Sequence, residues 1–448
     1  MVSLGVLPLA KSFETMFMGS AGSGEYWISL FDSGGFLDQG FSVTIDSSDN
    51  IITVGRIINV ANSKTDILIA KQNSLGTLLW EKTLGSAVNY EFGAGVAIDS
   101  SDNIIVTGGD GFNGILAKYN SSGTLQWQKS LDFGISGTTT SNGRSVAVDS
   151  NDNIIICGTS YRSSLLKYDI VIAKFNSSGA TVWSRYLTKG DYDSGTGVAI
   201  DSSDNVIITG TRQTLSPNQD HGSIVAKYNS SGTLQWQKIW ENYYKVTSRS
   251  VAIDSSDNII VTGRDSANRT YAMKLNSSGT LQWQTAFSNN LGNNQGEGYG
   301  VAIDSSDNVI ITGRVYEVTK NYVSILVAKF NSSGTLQWDK TLGRNSLSGD
   351  EGYGIAIDSS DNVIVTGLLR EIGSSDSDAL TAKLPPDGSG DGTYGGIVYQ
   401  DASMVATSGA NTLGAGNFVA GTASLSNTAG SKTSADAVMD SKLYPVGA

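Results

Sequence analysis

The sequence predicts an all-β fold, a seven-bladed β-propeller of four-stranded antiparallel blades, and three observations carry that expectation. An apolar run ending in an Asp-rich turn recurs seven times, with the first Asp of the turn at Asp46, Asp99, Asp149, Asp201, Asp254, Asp304 and Asp358, at intervals of 50 to 54 residues. Each copy holds up to four short β-type runs separated by turn residues. Six copies end in a run bearing Trp, whereas the seventh lacks one and a run of the same kind stands near the N-terminus. A period near fifty residues with four strands per unit suits a propeller blade. Leucine-rich solenoids repeat at roughly 20 to 30 residues, and helical repeats need a 3.6-residue apolar rhythm; neither appears.

The second copy shows how each element arises. Gly95-Val96-Ala97-Ile98 enters the turn Asp99-Ser100-Ser101-Asp102-Asn103 and leaves as Ile104-Ile105-Val106-Thr107-Gly108, a hairpin whose short polar side chains bond the local backbone. After a variable loop, Ile115-Leu116-Ala117-Lys118-Tyr119 and Thr124-Leu125-Gln126-Trp127 flank Asn120-Ser121-Ser122-Gly123, with Gly123 where a positive φ is wanted. The outer strands carry Trp80, Trp127, Trp183, Trp236, Trp283 and Trp338. Trp27 precedes Asp46 by 19 residues, the interval that also separates Trp80 from Asp99, so the N-terminal strand is expected to complete the seventh blade and latch the ring.

These residues resemble a known repeat. Val-Ala-Ile-Asp-Ser-Ser-Asp-Asn followed by Ala-Lys-Tyr-Asn-Ser-Ser-Gly-Thr-Leu-Gln-Trp is similar to the bacterial and phage β-propeller repeats called SBBP repeats, over about residues 25–385. That family commonly has Gly before the Asn of the first turn, where this chain has Asp49, Asp102 and Asp152. The resemblance implies a fold and no reaction.

Three segments follow from the pattern: an N-terminal arm, 1–24; the seven-bladed propeller, 25–385; and a Gly/Ser/Ala/Thr-rich C-terminal extension, 386–448, expected to stay mobile or to order on a partner. The tail composition resembles that of structural proteins of tailed phages. Met1 to Ala10 carry no basic residues, so a secretory signal is not expected, and no run approaches the roughly 20 apolar residues of a membrane span. The net charge of −12 argues against nucleic-acid or anionic-membrane partners.

Catalytic parts are scarce. One histidine, His221, and one cysteine, Cys157, cannot build zinc sites or Ser-His and Cys-His machinery, and the chain is expected not to be an enzyme. A two-carboxylate glycoside hydrolase stays open as a third reading. The Asp-rich turns partly resemble calcium loops but lack the Gly and terminal Glu, so hairpin turns are expected and no metal or other cofactor. Asn120, Asn176, Asn229, Asn276 and Asn331 fit sequons that the repeated turn already explains, and Lys118, Lys174, Lys227, Lys274 and Lys329 read as one structural position copied round the ring.

Binding is expected on the variable loops opposite a uniform, acidic turn face. The loops 159–169, 211–222, 264–269, 314–321 and 368–378, with the links between blades, supply Tyr161, Arg162, Arg212, His221, Trp240, Tyr243, Tyr244, Arg264, Arg269, Arg314, Tyr316, Tyr322 and Arg370 as candidate binding residues. The resulting expectation is a phage virion structural protein, a tail fibre, tail-tip or decoration component that presents the propeller to the host surface or to neighbouring subunits. Its partners would be other virion proteins or a host-surface glycan or protein, reached as an oligomer or larger assembly through the terminal segments. The alternative is a lectin-type propeller on a bacterial cell surface or outside the cell.

Overall fold

Strands form where the repeat places apolar β-branched runs between Asp and Asn turns. The computed structural model describes residues 12–18, 26–34, 38–59, 63–86, 89–131, 141–162, 166–188, 190–214, 221–242, 246–289, 295–317, 321–344, 349–370, 376–394, 396–402, 404–408 and 440–444. Among these residues there are strands and turns and no helix, and the fold is an all-β propeller. The first repeat runs Gln39–Ile45, Ile51–Asn59, Lys64–Gln72 and Leu78–Gly85, each antiparallel to the next. Its two middle strands are buried on both faces, because each sheet is covered by its neighbours, which is why they read as continuous apolar runs.

The turns explain themselves locally. Asp46 Oδ1 accepts the amides of Ser48 and Asn50, both at 2.9 Å, and Asp49 sits in the left-handed region at φ 58°. The other Asp46 oxygen meets the Lys71 ammonium at 2.7 Å. The same ion pair recurs at Lys118–Asp99, Lys174–Asp149, Lys227–Asp201, Lys274–Asp254, Lys329–Asp304 and Lys383–Asp358, between 2.6 and 2.9 Å. The turn face is therefore less acidic than its sequence suggests, since one carboxylate of each turn is buried and neutralised by a lysine from the same repeat. Cys157 is fully buried in a core strand, and burial pushes its thiol up to about 12.

Hydrogen bonding groups the strands into six sheets, of five, four, eight, five, six and five strands, which departs from an even set of four-stranded blades. Two causes are visible. The third and fourth repeats share the eight-stranded sheet through the single parallel pair Tyr168–Tyr192. Elsewhere the terminal segments add outer strands: Ser12–Met18 pairs with Tyr26–Asp32, Ile397–Asp401 with Leu336–Arg344, Met404–Ser408 with Leu281–Asn289, and Asp440–Tyr444 with Leu78–Gly85. The described parts of the C-terminal extension thus order on the chain's own sheet edges.

Neighbouring repeats meet through three repeated contacts. In the first, the inner strands pack side by side so closely that a Cβ on Gly40 would lie 2.0 Å from Thr366 Oγ1 of the last repeat. In the second, an indole lies under the left-handed glycine of the next repeat's second hairpin, Trp80 under Gly123 and Trp338 under Gly388. Trp27 occupies the same place under Gly76, its Nε1 donating to the Ser74 carbonyl at 3.2 Å, and its strand pairs antiparallel with Ser377–Leu384 of the last repeat. In the third, each turn serine donates its amide and hydroxyl to the left-handed Asp of the following turn: Ser47 to Asp102, Ser100 to Asp152, Ser150 to Asp204, Ser202 to Asp257, Ser255 to Asp307 and Ser305 to Asp361. Ser359 makes that contact with Asp49, 310 residues away.

Two outcomes are expected. Trp27 is fully buried, so Trp27→Ala lowers stability by about 3–5 kcal/mol in urea unfolding; an unchanged midpoint would place the N-terminal strand outside the cooperative unit. The second outcome concerns pH. Burial raises Asp38 and Glu91 to about 7 and Asp350 to about 6, so the folded chain holds protons there that the unfolded chain has released, and stability falls as pH rises through this window. The turn aspartates have the opposite sign: burial would raise Asp46, but its bonds from Lys71 and Asn50 outweigh burial, so their contribution is present above the ordinary carboxylate pKa and lost below it. Thermal midpoints at constant ionic strength should peak near about pH 5, and Asp38→Asn with Glu91→Gln should flatten the decline toward neutrality.

Candidate functional site at the channel mouth

Each inner strand carries a bulge five residues before its turn Asp, where the pairing register skips one residue: Phe41, Ala94, Arg144, Thr196, Arg249, Tyr299 and Tyr353. A bulge redirects the side chain of the extra residue. These seven side chains line one cavity of about 230 Å³, together with Phe92, Ser194 and Thr211, at the end of the inner strands away from the Asp turns. Deeper in, a space of about 130 Å³ is bounded by the same strands at Ser42, Gly95, Ser145, Ser250, Gly300 and Gly354.

The lining is lopsided. Phe41 and Tyr353 are 5.2 Å apart and Tyr353 and Tyr299 5.1 Å apart by ring centroids, forming an aromatic wall across three adjacent repeats. Ala94 and Thr196 leave room on the other side, between and beside Arg144 and Arg249. Arginines also flank the wall, with the Arg56 guanidinium 5.6 Å from the Phe41 ring, and Arg249 and Arg314 5.7 and 5.8 Å from Tyr299.

Glu297 is the hub of the charged groups. Its side chain is 2% exposed; Arg249 Nε donates to it at 2.7 Å, and Arg314 and Arg264 lie 3.3 and 3.9 Å away. Burial alone would raise its pKa, but Arg249, Arg264 and Arg314 outweigh that and hold the carboxyl below its ordinary value. Arg314 also bonds Glu351 at 2.9 Å, and the Tyr353 hydroxyl donates to Glu351 at 2.8 Å. Burial, then the glutamates, pushes the Tyr299 and Tyr353 phenols well up, so both stay protonated as hydrogen-bond donors. Arg144 lines this cavity with the Phe92 ring 5.7 Å away, and among the described residues no carboxylate pairs with it. Crowding by its neighbours, and then the charge of Arg249, lowers its pKa, although the side chain stays open to solvent. Five guanidinium groups against two carboxylates make this mouth positive in a chain of net charge −12, and low-dielectric walls focus that field on anions.

Of the residues expected from the sequence, Arg264 and Arg314 belong to this cluster. The others are elsewhere. Tyr161 packs on Tyr168, which stacks on Tyr192. Arg162 ends its strand opposite Lys167, and His221 begins one opposite Gln213. Arg212 and Tyr322 are buried, and Trp240 is a core residue packed with Val246 and Val251 rather than part of an exposed link. Arg269 pairs with Asp265 at 2.6 Å, the Tyr316 hydroxyl donates to Asn321 at 2.5 Å, and Arg370 Nε donates to the Gly349 carbonyl. Tyr243 and Tyr244 lie outside the described residues. Sequence reasoning missed Phe41, Arg144, Arg249, Tyr299 and Tyr353 because they interrupt repeated strands rather than loops; their common offset from the turn Asp was the available signal.

The family description that matches is that of the outer membrane protein assembly factor BamB, over residues 64–215, which supports a β-propeller repeat of BamB-like type there. No curated protein matches the chain in sequence. Among solved structures, the chain is similar to a catalytically inactive virginiamycin B lyase from Staphylococcus aureus with quinupristin, at TM-score 0.50 and 11% identity over 84% of this chain and all of that one. It is also similar to an ulvan lyase of polysaccharide lyase family PL25, at TM-score 0.43 and 12% identity over 78% of this chain and 94% of that one. Drosophila plexin A, solved with semaphorin 1b, matches at TM-score 0.43 and 8% identity over 84% and 88%. The first of these shows the propeller fold. It also corrects the expectation that the chain is not an enzyme, since a lyase shares this fold and the fold therefore does not exclude catalysis.

Glu297→Gln should leave three arginines facing one another without their shared counter-charge. The expected loss is about 3 kcal/mol in urea unfolding, and an unchanged midpoint would show that the cluster is not coupled to folding.

Proposed function

We propose that the chain is a recognition propeller, a closed ring of seven blades that binds its ligand in the mouth of the central channel. One observation carries this reading. A repeat supplies its own internal comparison, and the seven copies agree where they hold the ring together: the buried Lys–Asp pair, the Ser–Asp contact and the indole under glycine each recur in every copy. At the bulge they diverge into Phe, Ala, Arg, Thr, Arg, Tyr and Tyr, although that position has the same backbone in each. Packing asks for one residue type repeated; a ligand without sevenfold symmetry asks for different residues round the ring. In the setting suggested by the tail composition, a virion component, this end faces the host surface, and the terminal segments engage neighbouring subunits.

A glycan array probed with the full chain tests the reading. The chain should bind at least one array glycan, Tyr353→Ala should weaken that binding at least tenfold, and Gln126→Ala on an outer strand should leave it unchanged. Array binding that survives substitution at Phe41, Arg249 and Tyr353 would move recognition away from the channel.

A further inference from the structure

Every repeat pairs the lysine of its third strand with a turn aspartate, whereas Arg144 stands in the cavity wall, open to solvent, with no carboxylate partner among the described residues. Arg249 stands two repeats away on the same cavity and gives its Nε to Glu297; no acceptor among the described residues takes its terminal nitrogens. Two guanidinium groups lining one open cavity repel each other, an anion between them relieves that repulsion, and a planar carboxylate matches the guanidinium fork.

The opposite side of the cavity is apolar. Tyr299 and Tyr353 have committed their hydroxyls to Glu297 and Glu351, so with Phe41 they offer ring faces and edges. Ser194 and Thr211 add hydroxyl groups to the rim. An inorganic anion would satisfy the arginines and leave the aromatic wall uncovered, while a neutral sugar would cover the wall and leave Arg144 unpaired. A ligand with a carboxylate at one end, an apolar C–H face and a hydroxylated rim meets all three features, and the cavity of about 230 Å³ admits one such ring.

Resting on the channel reading above, we infer that the ligand is a carboxylate-bearing sugar residue, a uronate, whose carboxylate lies between Arg144 and Arg249 and whose ring packs against Tyr353 and Phe41. Attraction between the positive mouth and an acidic glycan also fits a molecule whose remaining surface is negative, since the channel is then the favoured landing place.

Calorimetric titration of the full chain with D-glucuronate, D-galacturonate and D-glucose, to about 10 mM so that millimolar affinity registers, separates this inference from the reading it rests on. At least one uronate should bind tenfold or more tightly than glucose, Arg144→Gln should weaken it at least tenfold, and binding should weaken as salt rises. Arg144→Gln should unfold at the same or a higher temperature, because it removes a charge that repels Arg249 and breaks no ion pair among the described residues, so lost binding will not reflect lost folding. Glucose binding as well as the uronates, with Tyr353→Ala abolishing both, overturns the carboxylate and leaves the channel reading standing. Uronate binding unaffected by Arg144→Gln and Tyr353→Ala overturns both. No binding of either uronate by a chain that binds an array glycan overturns the uronate.

Discussion

Asp49, Asp102, Asp152, Asp204, Asp257, Asp307 and Asp361 hold φ between 57° and 63°, a conformation that glycine adopts at least cost. Here the side chain repays the local strain, because its two carboxylate oxygens accept the amide and the hydroxyl of a serine in the preceding turn. The contact runs from each repeat to the next, and from Ser359 back to Asp49. Beneath it, the buried lysine of the same repeat neutralises the first Asp of the turn. One end of the molecule is therefore a girdle of charge-assisted bonds made of few residue types.

That girdle leaves the other end free to vary. With spacing between repeats fixed by serine, aspartate, glycine and tryptophan, the bulge residue of each inner strand carries no packing duty common to all seven. Arg144 can stand without a carboxylate among the described residues, and three aromatic rings can crowd one side of the cavity, because the energetic consequences stay local. Glu297 limits those consequences further by collecting three arginines. The pattern is a uniform scaffold with an asymmetric lining, which suits a ligand far smaller than the ring.

The strands, the turns, the structural lysines and the role of Trp27 were legible in the sequence because each rests on a local pattern repeated seven times. The pairing of the extra outer strands was not, because the sheet edges that Ile397–Asp401 and Met404–Ser408 meet lie far away in sequence. The site was half legible. Arg264 and Arg314 stood out as charges opening variable loops, but Arg144, Arg249 and Tyr353 sit within strands where side chains are expected to be buried, and only the bulge turns them into the cavity. Trp240 misled for the converse reason, since an aromatic near a variable link can equally be core.

Closure of the ring by the Ser359–Asp49 contact is the claim on which the channel, and therefore its mouth, depends. The most direct measurement compares equilibrium unfolding of Asp49→Gly with that of Asp152→Gly, since glycine keeps the turn and removes the carboxylate at the seam and inside the ring respectively. A closed ring makes the two contacts equivalent, and both variants should lose a similar amount, about 1–2 kcal/mol. If Asp49→Gly is neutral or stabilising while Asp152→Gly loses stability, the seam is open and the account is contradicted.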